Sequence, residues 1–148
     1  MQPKEIKRVS PRIDANHHQW FADRWGTTNA GAEFVLEAFP HLYQRALAEI
    51  RGRLSRPELS MVLDCLNGTF QTPGLSGQHV TANVEDSFSL YPGQYQKKWG
   101  VDAAALCGKL RALTSFQLAA LEIWAGQFWQ SPRLNDENFL EEHTASLL

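Results

Sequence analysis

Hydrophobic and polar residues alternate over residues 7–14. Val9, Pro11 and Ile13 fall on one face, and Arg8, Ser10 and Arg12 on the other. A period of two predicts a short β-strand. Pro11 cannot donate a ladder hydrogen bond, which confines the strand to an edge-like position. The period then changes to that of a helix. Over about 16–25, Trp20, Phe21 and Trp25 make an apolar stripe, with Asp14 or Asn16 as the N-cap and Gly26 where a left-handed residue ends a helix. Thr27-Thr28-Asn29 reads as a turn, with Asn29 as the N-cap of a second helix from about residue 30 and Glu33 near its positive end. Phe34, Val35, Ala38, Phe39 and Leu42 are its predicted inward face. Pro40 predicts a kink or a split, with Pro40 opening the second piece at a first-turn position. That piece carries Tyr43, Leu47 and Ile50, runs to about 52 and stops at Gly52.

Helical patterning continues down the chain. Ser55-Arg56-Pro57-Glu58 is a capping box that opens a helix presenting Leu59, Val62, Leu63 and Leu66, with Asn67-Gly68 closing it. Pro73, Gly74 and Gly77 mark residues 69–79 as a loop. Val80, Val84 and Phe88 recur every four residues and predict a short helix, ended by Tyr91-Pro92-Gly93. Asp102 caps a predicted helix to about 112 with Leu106, Leu110 and Leu113 inward. Thr114-Ser115-Phe116-Gln117 is a second box, opening an apolar helix with Leu118, Leu121, Ile123, Trp124, Phe128 and Trp129. The two boxed segments look alike, as capped amphipathic helices do. From Pro132 the chain is acidic and weakly periodic. There Phe139, Leu140, Leu147 and Leu148 allow either docking on the body or a mobile tail.

Composition narrows the class. The hydrophobic fraction of 43% and charged fraction of 20% are those of a folded globular chain, not a disordered one. No apolar run approaches a membrane span and the N-terminus lacks an apolar signal core, so a cytoplasmic protein is expected. Cys65 and Cys107 sit within apolar helical patterns and read as reduced core thiols. Trp99, Trp124 and Trp129 read as core anchors. The net charge of −2 conceals an asymmetry: residues 1–53 carry eight Lys/Arg against six Asp/Glu, while residues 54–148 carry six against ten. Four basic residues lie between positions 4 and 12. A basic arm on an acidic body suits local phosphate contact.

Chemistry for catalysis or metal binding is not suggested. His17 and His18 are adjacent, about 100° apart on a helix, and His41, His79 and His143 are scattered. There is no Cys-x-x-Cys, His-Glu-x-x-His or His-x-x-x-His spacing. Gly74-Leu75-Ser76-Gly77 lacks the setting of a nucleophile elbow, and Glu85-Asp86 reads as a solvated face. Neither an enzyme nor a cofactor is expected.

The order of basic strand, helix, Gly-Thr-Thr-Asn turn and helix over residues 7 to about 45 resembles the ribbon-helix-helix family of DNA-binding proteins, the Arc and MetJ type. The resemblance implies an obligate homodimer whose paired strands form an antiparallel ribbon in the major groove. It implies that Arg8, Ser10 and Arg12 face base edges and that Val9 and Ile13 face the core. It places Thr28, Asn29 and Ala30 at a phosphate, and Lys7, with Lys4, on the backbone.

The expected architecture is therefore mainly α. A ribbon-helix-helix region with a short intermolecular strand spans 1–53, an all-α region 54–131 and an acidic tail 132–148. The expected function is sequence-specific binding of double-stranded DNA by a dimeric transcriptional regulator, or by an antitoxin-like or plasmid-maintenance protein. The C-terminal helices are then available to a protein partner. The alternative is a helical protein–protein interaction protein with no nucleic-acid role.

Overall fold

The computed structural model describes residues 12–67, 78–90 and 93–148. These contain eight α-helices and, among the described residues, no strand. Residues 7–11 of the expected ribbon lie outside the described residues. The chain divides into two compact units, one ending at His41 and the other running from Leu42 to Leu148.

The first unit holds α1 (Ala15–Trp25) and the first part of α2 (Thr28–Ile50). Asp14 caps α1 by accepting from the His17 N–H at 3.0 Å; Asn16 lies inside the helix. Gly26 ends it at φ 82° and sends its N–H to the Ala22 carbonyl. The expected cap of the second helix is corrected. Thr27, not Asn29, plays that part, its hydroxyl accepting from the Ala30 N–H at 3.1 Å, because the helix starts two residues earlier. Of the two outcomes expected at Pro40, the split does not occur: the residue lies inside a continuous α2. Only the Pro40 N–H is missing there. The residue whose carbonyl loses its donor, Leu36, sits on an exposed stretch.

Gly31 sets how closely α1 and α2 approach. A Cβ there would lie 2.6 Å from Phe21 Cδ1 and 3.0 Å from both Phe21 Cβ and Trp25 Cε3. Around it, Trp20, Phe21, Trp25 and Phe34 form a chain of ring contacts with centroids 5.2–5.9 Å apart. The expected inward face of α2 is not buried in the single chain. Phe34 is 57% exposed and Leu42 48%, with Val35 and Phe39 also exposed and Ala38 half-buried; Leu36, outside that expected face, is 52% exposed. Pairing with α1 covers Gly31 but leaves the neighbouring apolar positions open.

The second unit continues α2 to Ile50 and adds α3 (Arg56–Cys65), α4 (Gln78–Leu90), α5 (Gln94–Trp99), α6 (Ala103–Arg111), α7 (Ser115–Trp129) and α8 (Phe139–Ala145). Its core joins Ile50, Leu59, Leu63, Val84, Leu106, Leu110, Leu121 and Trp124 among others. Both capping boxes form. Ser55 and Glu58 satisfy each other's backbone donors at the start of α3, as do Thr114 and Gln117 at the start of α7. Each box is then held from the helix that precedes the other. Lys109 of α6 reaches both Glu58 carboxylate oxygens at 2.9 Å, and Gln117 donates to Glu49 of α2 at 3.0 Å.

Of the two alternatives for the tail, docking holds. Phe139 and Leu147 join the core, and the Gly52 N–H donates to the Leu147 carbonyl at 2.9 Å. Cys107 is buried, Cys65 half-buried, and neither is in a disulfide. Trp124 is buried, with Trp99 and Trp129 packed against the core.

Candidate functional site

The expected DNA-facing residues fall into two groups. Lys7, Arg8 and Ser10, with Lys4, lie outside the described residues. Arg12, Thr28, Asn29 and Ala30 are described and lie in the first unit. Arg12 is exposed in the non-helical stretch that leads into α1, and the next residue, Ile13, is half-buried. Residues 12–14, the described end of the expected strand, are not in a strand. Arg12 and Ile13 line a groove of about 860 Å³ whose apolar lining includes Trp20, Phe21, Val35 and Leu36, with Asp14 and His17 also lining it.

At the start of α2, Asn29 and Ala30 are exposed and Thr28 is half-buried. Thr27 uses its hydroxyl for the Ala30 N–H and its carbonyl for the Gly31 N–H. The N–H groups of Thr28 and Asn29 open the helix and have no intrahelical acceptor. The Thr28 hydroxyl is committed to α1: it donates to the His18 carbonyl at 3.1 Å and lies 3.3 Å from His18 Nδ1. Thr28 therefore positions the turn through its side chain and offers only its backbone to an anion. Of the three residues, Asn29 keeps both its backbone N–H and an exposed side chain. His18 was missed by sequence reasoning, since a lone exposed imidazole carries no spacing signal, and Gly31 was missed because its role depends on the helix opposite.

Charge in this unit is uneven. Arg24 sits at the far end of α1, donating to the Trp20 carbonyl at 3.3 Å and lying 4.1 Å over the Trp20 ring. His17 pairs with Asp14 at 2.8 Å, and the Asp14 carboxyl is held below its ordinary range mainly by the His17 backbone N–H. His17 and His18 thus have different partners. Glu33 and Glu37 are exposed on α2. Arg12 lines the groove, and Arg24 lies over the ring of Trp20, which also lines it.

Burial raises the Cys107 thiol above its ordinary range, with the nearby Glu85 adding to the effect and Arg111 opposing it, so the thiolate is disfavoured. Glu85 is paired with Arg111. Among the described residues no group of three His, Cys, Asp or Glu side chains could hold a metal ion, and no helix is long and apolar enough to cross a membrane. No protein-family model, no curated protein and no solved structure matches this chain.

Proposed function

We propose that the chain is a homodimeric, sequence-specific DNA-binding protein that uses its N-terminal unit as a ribbon-helix-helix reader. In this reading Arg8, Ser10 and Arg12 meet base edges from a ribbon shared by two chains. The N–H groups at the start of α2, around Thr28, Asn29 and Ala30, meet a phosphate. Lys7 adds a backbone contact. The reading assigns no catalytic step.

The observation that carries it is the uncovered face of the first unit. Among its described residues only Gly31 is buried. Two short helices with no buried large side chain cannot hold a fold by themselves. Fully burying a Val, Leu, Ile or Phe side chain contributes about 1.5–3 kcal/mol. Covering the exposed parts of Val35, Leu36 and Phe39, which share one arc of the helix, therefore contributes roughly 3 kcal/mol per chain. A second copy brings the same face and the second strand that a ribbon needs. The alternative, a helical interaction protein without a nucleic-acid role, is favoured only by the net acidic second unit, and it would cover the same face with an unrelated protein.

Two measurements test the reading. Sedimentation equilibrium is expected to give twice the chain mass. Selection from a pool of randomised duplexes at low salt is expected to enrich a two-fold-symmetric site, and binding to that site should be lost in the double variant Arg8→Ala, Arg12→Ala with helix content unchanged. A monomer at all concentrations, or a double variant that binds as tightly as the parent, overturns the reading.

A further inference from the structure

The contact between α1 and α2 is largely apolar, and apolar contact is non-directional: it holds two helices together without fixing their register. No residue of α1 is buried, and its packing rests on the ring contacts from Trp20 to Phe34 and the close approach at Gly31. Direction comes from one pair of residues. Among the described residues, the side-chain hydrogen bonds that join α1 to α2 run between His18 and Thr28. The Thr28 hydroxyl donates to the His18 carbonyl at 3.1 Å, and His18 Nδ1 lies 3.3 Å from the same hydroxyl oxygen. The neighbouring polar side chains bond within their own segments: His17 with Asp14, Gln19 with Asp23, Arg24 with the Trp20 carbonyl and Thr27 with the Ala30 N–H.

Donor and acceptor roles in this pair follow from its chemistry. A carbonyl only accepts, so the single hydroxyl proton of Thr28 goes to the His18 carbonyl. The hydroxyl oxygen is then left as an acceptor, and the second contact is a hydrogen bond only when Nδ1 carries a proton. The ring with its proton on Nδ1 satisfies both contacts, and the other neutral tautomer satisfies one. Thr28 is the first residue of α2 and is half-buried. Its own N–H and that of Asn29 have no intrahelical acceptor. The pair therefore ties the direction of these free N–H groups to α1.

We propose that His18 is a positioning residue of the DNA site: with its proton on Nδ1 it locks Thr28 to α1 and so aims the start of α2. The inference rests on the DNA-binding reading, in which the N–H groups there meet a phosphate. His18 acts through Thr28 and needs no contact with the duplex. Phosphate contacts fix register without reading sequence, so a misdirected α2 weakens every duplex alike and leaves the preferred site unchanged. The side chain that can stand in for His18 follows from the same geometry. The amide nitrogen of Asn is attached as Nδ1 is, through Cγ, whereas that of Gln is one atom further out, in the place of Nε2.

Two measurements on the full chain test it. Nitrogen NMR of the imidazoles at about pH 9, where such rings are neutral, is expected to find the His18 proton on Nδ1 and to lose that preference in Thr28→Val. Affinity is then measured for the selected duplex and for one of unrelated sequence. His18→Asn should bind both within about twofold of the parent, and His18→Gln roughly tenfold more weakly, with helix content unchanged by circular dichroism. A neutral His18 with its proton on Nε2 overturns the proposal. So does equal binding by the Asn and Gln variants, or a loss confined to the selected duplex. A parent that binds no duplex overturns the DNA-binding reading and this role with it, whereas a parent that binds while the two variants behave alike overturns the role alone.

Discussion

Single residues show where burial and polar satisfaction pull apart. The His143 ring stacks on Trp124, with centroids 4.6 Å apart, and lies 5.5 Å from both Phe128 and Phe139. Its Nε2–H donates to the Trp124 carbonyl at 2.8 Å. Burial among these rings lowers its pKa, and the carbonyl only partly offsets that. The folded chain therefore resists a proton that the unfolded chain accepts. Stability is unaffected well above about pH 6.5 and falls as pH drops below it, until the lowered folded pKa is reached. Urea titrations between pH 7.5 and 5.5 should show this fall, and His143→Phe should flatten it.

Gly31 is a second case at this scale. Ala in place of Gly favours a helix by about 1 kcal/mol. Crowding against Phe21 and Trp25, including the Phe21 Cβ that cannot swing away, costs about 1–3 kcal/mol. Gly31→Ala should therefore destabilise the helix pair, by about 1 kcal/mol, as read by chemical denaturation. Nothing in the sequence marks this glycine, because its role exists only once α1 lies against α2.

At the scale of elements, the parts written locally were legible and those written by context were not. Both boxes read directly from Ser55-x-x-Glu58 and Thr114-x-x-Gln117, because a cap needs only residues three apart. Asp14 and Asp102 were legible as caps for the same reason. The helix α5 was not, since six residues between Gly93 and Gly100 leave no stripe to detect. The candidate site was legible as a helix–turn–helix pair with Arg12 exposed before it, but not in its cap, where Thr27 replaced Asn29.

Glu58 shows that one box residue can serve two elements. Burial alone would raise its pKa, yet the Ser55 backbone N–H and Lys109 outweigh burial and hold the carboxyl below its ordinary range. Ser55→Ala removes one cap hydrogen bond and should cost about 1 kcal/mol. Glu58→Ala also leaves Lys109 without its carboxylate and should cost more, about 2 kcal/mol, in equilibrium urea unfolding. Equal losses would mean that Lys109 adds nothing to the box.

At the scale of the molecule, the two units differ in what holds them. The second has its own core, from Ile50 to Leu147. The first has one buried glycine and an exposed apolar stripe. Sequence periodicity marked an apolar face on α2 that the single chain leaves exposed. It could not show whether the same chain or another supplies the cover, because both satisfy the same pattern. Under the proposed dimer, thermal melts by circular dichroism should show an N-terminal transition that moves up with protein concentration and a second that does not. A single transition independent of concentration would contradict it.

The exposed stripe of Val35, Leu36 and Phe39 also has a consequence for dosage. If the reading head is completed only when two chains meet, its amount at low abundance follows the square of the chain concentration. Halving the chain then lowers occupancy of a DNA site about fourfold rather than twofold. A feature that looks like incomplete folding would make the chain a sensor of its own copy number.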